Sequence, residues 1–248
     1  MKSITLICIP FAGGTSVAFR DVTKYLPSHI TPNFIDFPGH GRRLQEPLVS
    51  DIHDLVSDIF HKLPTDENSQ LIIWGHSMGG NIAYLLTRRL LRAGRQMPLH
   101  LFVSGSPAPS IPRKEKDVYK LPRHALVEKV KKYGGVVEEV LAEKDLMDMF
   151  LPILRADFQA LETYEYTPIF PPLTVPITAM VGSDEHIKEE DILDWQKETT
   201  LPLIIKKLEG NHFFIFDHLE LICQMVVNSL NNHNSFTNPN TNFKGEKR

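Results

Sequence analysis

The chain has 248 residues, which is one large domain or two small ones. Apolar residues make up 42% and charged residues 23%, the composition of a globular protein with enough apolar side chains for a sizeable core. A net charge of −3 gives no reason to expect a nucleic-acid or membrane partner. No apolar run approaches membrane-span length. The N-terminus runs straight into an apolar strand without a signal-peptide pattern. The two cysteines, Cys8 and Cys223, lie in apolar runs and read as buried thiols in a reducing compartment, so a cytoplasmic protein is expected.

In chain order, Ile4 to Ile9 reads as a parallel strand buried on both faces. Pro10-Phe11-Ala12-Gly13-Gly14 follows, a loop in which paired glycines let backbone N–H groups approach a ligand closely. Ser16 to Leu26 is a short helix, and Thr31 to Phe37 a second strand that ends in Pro38-Gly39-His40-Gly41-Arg42-Arg43. The two arginines are expected to anchor that loop or line an entrance. Asp51 to Leu63 carries Ile52, Leu55, Val56, Ile59, Phe60 and Leu63 at helical spacing.

The centre of the chain is Trp74-Gly75-His76-Ser77-Met78-Gly79-Gly80, between a buried strand at Leu71-Ile72-Ile73 and a helix from Asn81 to Arg92. Strand, sharp turn and helix around G-x-S-x-G make a nucleophile elbow. The turn lifts the Ser77 hydroxyl off the sheet and places it at a helix N-terminus, where the Met78 N–H can meet a developing oxyanion. The loop after the first strand supplies the second donor: Ala12 by position, with Phe11 next.

Leu99 to Val103 is another strand, and the strand–helix rhythm predicts an α/β protein with a mostly parallel central sheet flanked by helices. Residues 111–166 break the rhythm. Leu126 to Lys132, Val136 to Ala142 and Leu146 to Leu161 read as helices, which suits a lid inserted over the site. From Arg113 to Lys132 eight Lys and Arg stand against three acids, which is either a solvated helix face or a docking patch for an acidic partner. Ile177 to Val181 resumes the sheet.

A catalytic carboxylate belongs just past that strand end. Asp184 is the choice, ahead of Glu185 and Asp191, which lie further into the next element. Leu203 to Leu208 is the last strand, and His212 follows it in a Gly-Asn loop before a helix from Asp217 to Leu230. Ser77, Asp184 and His212 stand in the order serine, acid, histidine. His40 precedes the nucleophile and His186 sits too close to its own acid, so neither is expected to be the base. Residues 231–248, rich in asparagine, are expected to be a disordered tail behind a domain spanning 1–230. No metal or redox cofactor is called for.

Five segments together carry a family resemblance: Pro10-Phe11-Ala12-Gly13-Gly14, Pro38-Gly39-His40-Gly41-Arg42, Gly75-His76-Ser77-Met78-Gly79-Gly80, Leu154-Arg155-Ala156-Asp157-Phe158 and Gly210-Asn211-His212-Phe213-Phe214. In this order, over about residues 4 to 230, they resemble the type II thioesterases of nonribosomal peptide and polyketide synthesis. The loop at Gly182-Ser183-Asp184-Glu185 is thinner in acids than that family usually shows. The resemblance implies an α/β-hydrolase fold and an editing enzyme. Such an enzyme releases acyl groups stalled on the phosphopantetheine arm of an acyl or peptidyl carrier protein. A monomer is expected. A general carboxylesterase or aminopeptidase would share the same triad.

Overall fold

The computed structural model describes residues 3–64, 69–134 and 143–236. Its centre is a six-stranded sheet in the order β2-β1-β3-β4-β5-β6. The strands are β1 (Ser3–Ile9), β2 (Ile30–Phe34), β3 (Ser69–His76), β4 (His100–Ser104), β5 (Ile177–Gly182) and β6 (Ile204–Leu208). Every neighbouring pair is parallel. The helices are α1 (Ile52–Lys62), α2 (Met78–Arg92), α3 (Arg123–Tyr133), α4 (Lys144–Glu162), α5 (Glu189–Leu193) and α6 (Leu219–Phe236).

Parallel central strands must be apolar on both faces, and the two buried clusters follow the pleat. Ile7, Ile9 and Ile73 join the α1 and α2 side chains Ile59, Ile82 and Leu86 on one face. Leu6, Cys8, Ile72 and Trp74 meet Phe19, Ile222 and Val226 on the other. Both cysteines are fully buried and unpaired. Both tryptophans are fully buried too: Trp74 donates its indole N–H to Ser104 Oγ at 3.0 Å, and Trp195 donates to the Ser106 carbonyl at 3.0 Å.

Most of the described elements fall where periodicity puts them, with shifts at their ends. The second strand stops at Phe34 rather than Phe37. Asp36 turns inward and accepts from the Ser16 N–H at 2.6 Å, the Ser16 hydroxyl at 2.9 Å and Arg42 Nε at 2.8 Å. Pro32 sits in that strand without cost to the interior because β2 is an edge. Arg43 grips Asp58 at 2.6 Å, so both loop arginines act as anchors. The stretch Ser16–Lys24 winds as a 3-10 helix. Asp51 caps α1, accepting from His53 N at 2.7 Å. Helix α6 runs on to Phe236, past the Leu230 end expected for it.

Between β4 and β5 the described residues are helical or irregular, with a small core of their own from Val118, Leu126, Val130, Met147, Leu151 and Leu154. The helix expected at Val136 to Ala142 and the tail from 237 onward lie outside the described residues. Much of the basic run from Arg113 to Lys132 is paired locally: Lys120 with Asp117, Lys129 with Glu115, Lys131 with Glu128 and Arg123 with Asp148. Among the described residues, no helix is long and apolar enough to cross a membrane.

Burial alone would raise the Asp36 pKa, but the donors from Ser16 and Arg42 outweigh it and hold the carboxyl below its ordinary value. A depressed folded-state pKa adds stability that is present above the unfolded value and lost as pH falls through the folded one. Asp36→Asn is therefore expected to cost about 1–3 kcal/mol in urea unfolding at pH 7. The gap to the wild type should close below about pH 4, the ordinary aspartate range.

Candidate active site

The site forms where three strand ends meet along one edge of the sheet. Ser77 stands between β3 and α2 with φ 54° and ψ −117°, a left-handed backbone that an L-residue occupies only under constraint. Two close approaches supply the constraint. A Cβ on Gly75 would lie 2.0 Å from the Gly79 carbonyl oxygen, and one on Gly79 would lie 2.2 Å from the Ile9 carbonyl oxygen. The Ser77 N–H donates to the Ser104 carbonyl at 2.7 Å, which ties the turn to β4. The Ser77 hydroxyl makes no capping bond to α2 and is left for chemistry.

His212 Nε2 lies 3.0 Å from Ser77 Oγ. On the far side of the ring, Nδ1 lies 2.6 Å from Glu185 Oε1. The carboxylate accepts from Nδ1–H, which leaves Nε2 as the acceptor for the serine proton. The Glu185 side chain is 3% exposed, and its second oxygen accepts from the Gly182 N–H at 2.7 Å. Both carboxylate oxygens are thus occupied, and the group is fixed in one orientation.

The carboxylate that meets the imidazole is Glu185, one residue after the expected Asp184. Asp184 is exposed, accepts from the neighbouring Ser183 hydroxyl at 2.7 Å, and makes no bond to His212. The reason is the turn after β5. The Glu185 N–H bonds back to the Gly182 carbonyl at 3.3 Å, so the fourth residue of the turn returns toward the His212 loop. The signal in the sequence was Gly182, where a Cβ would sit 2.5 Å from the Gly210 carbonyl oxygen; the turn starts there. Asp191 accepts a Lys114 ion pair at 3.6 Å, and His186 is exposed.

His76 lies beside the ring of His212, with centroids 5.0 Å apart, and Nδ1 lies 3.0 Å from Ser104 Oγ. Complete burial, with the nearby His212 as a second cause, holds its pKa well below the ordinary histidine value. The neutral form of His76 is therefore favoured beside the His212 ring. The Phe11 ring packs edge-on against Phe213 at 4.9 Å and His76 at 5.8 Å.

Met78 opens α2, so its N–H has no acceptor within the helix. Phe11 and Ala12 line the same cavity as Ser77. That cavity is about 1500 Å³, and α4 faces it with Phe150, Leu154 and Phe158. His40 lies away from Ser77, buried and hydrogen-bonded to Asp157 on α4 at 3.0 Å. Among the described residues, no cluster of His, Cys, Asp and Glu could hold a metal ion.

A family model described as a thioesterase domain matches residues 4–230. The chain is 30% identical to the gramicidin S biosynthesis protein GrsT of Aneurinibacillus migulanus, over 90% of this chain and 89% of that one. It is 32% identical to the medium-chain S-acyl fatty acid synthase thioesterase of Rattus norvegicus, over 85% and 81%. Among solved structures, the type II thioesterase BorB from the borrelidin biosynthetic cluster superposes with a TM-score of 0.82 at 30% identity, covering 92% of this chain and 93% of that one. ClbQ from the colibactin NRPS/PKS pathway gives 0.87 at 28%, covering 94% and 99%.

The geometry separates the two adjacent acids. Glu185→Gln is expected to slow phosphonylation of Ser77 by a fluorophosphonate about a hundredfold or more, since an amide there favours the wrong imidazole tautomer. Asp184→Asn should stay within about twofold, as an exposed residue away from the imidazole should. The reverse pattern would return the role to Asp184.

Proposed function

Because the chain belongs to the type II thioesterase family of nonribosomal peptide and polyketide synthesis, an α/β-hydrolase-fold group that cleaves thioester bonds, we propose that Ser77, His212 and Glu185 carry out that hydrolysis here. The single observation that carries the assignment is His212, bonded to Ser77 Oγ through one nitrogen and to Glu185 through the other. The substrate we infer is an acyl group on the phosphopantetheine arm of a carrier protein, released so that a stalled synthase can restart.

Ser77 Oγ attacks the thioester carbonyl while His212 Nε2 takes its proton. Glu185 holds the imidazole and stabilises the imidazolium. The new C–O bond leaves a tetrahedral oxyanion facing the N–H groups of Met78 and Ala12. The C–S bond then breaks, and the His212 proton goes to the departing sulfur. A thiolate is a good leaving group, so this step asks less of the acid than amide cleavage does. Water, deprotonated by His212, attacks the acyl-enzyme; the C–Oγ bond breaks, and Ser77 recovers its proton. The free acid and the carrier thiol are the products.

The described part of residues 111–166 acts as the lid in this reading. Support comes from their separate small core and from the α4 side chains that face the cavity above Ser77. Every member of the proposed triad comes from one chain, which fits a monomer. Two buried free thiols fit a reducing, cytoplasmic setting.

The test is a panel of carrier proteins loaded with different acyl groups and scored for release. The wild type is expected to free both acid and carrier thiol, and faster than it cleaves p-nitrophenyl esters of the same acids. Ser77→Ala, folded by circular dichroism, should lose at least about a thousandfold in kcat. Retained release by Ser77→Ala would remove the mechanism. Preference for simple esters or peptide amides would move the protein to the general esterases or aminopeptidases.

A further inference from the structure

The loop that offers Ala12 to the oxyanion is held from outside by a buried polar group that the chemistry above does not use. Asp157, on α4, is fully buried, and its Oδ2 accepts from the Gly13 N–H at 2.6 Å. The same oxygen lies 3.0 Å from His40 Nε2, in the loop after β2, and His40 is 1% exposed. His40 Nδ1 lies 3.0 Å from the Pro38 carbonyl oxygen, which can only accept. Both ring nitrogens of His40 therefore face acceptors, which ties the ring to Asp157 on one side and to the Pro38 carbonyl on the other. Burial would lower the His40 pKa, but the bond and charge of Asp157 reverse that, and the net direction is upward.

The loop itself has little freedom. Gly13 has φ 73°, and a Cβ there would lie 2.7 Å from the Phe150 ring and 2.8 Å from Leu154, both on α4. The Gly14 N–H closes the turn onto the Phe11 carbonyl at 2.8 Å. Arg155, two residues before Asp157, fixes α4 from its other side by donating to the Tyr119 and Leu121 carbonyls at 2.5 and 2.7 Å. Ala12 sits inside this frame, one residue before the N–H that Asp157 holds.

We propose that Asp157 is a positioning residue for hydrolysis: clamped by His40, its carboxylate holds the Gly13 N–H and so keeps the Phe11–Gly14 loop where the Ala12 N–H meets the oxyanion. The proposal rests on the thioesterase reading. It gives Pro38-Gly39-His40-Gly41-Arg42 and Leu154-Arg155-Ala156-Asp157-Phe158, two of the segments that carry the family resemblance, one joint task. It also makes α4 part of the oxyanion hole's scaffold, so that helix cannot move away from the site without disturbing the loop.

The prediction is a loss confined to the transition state. Asp157→Ala is expected to lower kcat on an acyl thioester about 30- to 100-fold, with KM within about threefold, as for a donor displaced but not removed. An alkyl boronic acid, which forms an anionic tetrahedral adduct with Ser77, should lose affinity by a similar factor. A non-hydrolysable amide analogue should bind as it does to the wild type, since only the transition state gains from the hole. Asp157→Asn, which keeps an oxygen for Gly13, should recover at least about tenfold of the lost kcat. It also serves where the alanine variant fails to fold. His40→Ala and the double variant should each be about as slow as Asp157→Ala, because the two side chains act as one unit.

Equal weakening of boronate and amide would mean a general packing role and overturn the proposal, as would wild-type kcat in a folded Asp157→Ala or no difference between the alanine and asparagine variants. The wild type in the same assay guards the underlying reading: inactivity there on acyl thioesters would condemn the thioesterase assignment, not the clamp.

Discussion

Two backbone contacts, Gly75 against Gly79 and Gly79 against Ile9, set the geometry on which the rest of the site depends. They let β3 and α2 approach closely enough that Ser77 is forced to a positive φ, with its hydroxyl above the sheet. No side chain can substitute for this contact, because any Cβ at either glycine would overlap a carbonyl. The strain at Ser77 is offset by bonds that leave no alternative path: its N–H is held by β4, and the first turn of α2 starts at the next residue.

Around that fixed hydroxyl the other groups arrive on short loops from neighbouring strand ends. β3, β4, β5 and β6 are consecutive in the sheet, so the segments after β5 and β6 lie side by side. The Ser183 N–H bonds the Leu208 carbonyl at 2.7 Å and the Asp184 N–H bonds the Gly210 carbonyl at 3.0 Å. These bonds join the acid loop to the histidine loop, so the relative placement of Glu185 and His212 follows from the sheet and needs few other contacts. His76 and Gly105 complete the floor: a Cβ at Gly105 would press on both imidazoles, at 2.7 Å from His76 and 3.1 Å from His212.

Much of this was legible in the sequence because it rests on local rules. Apolar β-branched runs gave the strands, helical spacing gave α1, α2 and α4, and the elbow declared itself through Gly75 and Gly79. Ser77 and His212 lie together where the order of elements put them. What was not legible depended on how a turn closes. Asp184 and Glu185 are adjacent acids, and the bonds that close the turn, from the Glu185 N–H to the Gly182 carbonyl and from the Asp184 N–H to the Gly210 carbonyl, decide which faces the imidazole. His40 and Asp157 are separated by over a hundred positions, and no periodicity signals that they meet. A polar residue inside an apolar helical stripe, as Asp157 is in α4, was the one available hint, since such a group needs a partner when buried.

The burial of both indoles gives the enzyme an internal optical probe. Trp74 donates to Ser104 and Trp195 to the Ser106 carbonyl, so each ring reports on the segment that leaves β4 beneath the nucleophile. The chain has two tryptophans, and neither lies at the surface to add a solvent-relaxed background to the emission. Their fluorescence therefore reads the floor of the catalytic chamber rather than the helices above it. A shift on acylation would mean that the floor yields during turnover, and a silent spectrum would mean that the moving parts lie overhead.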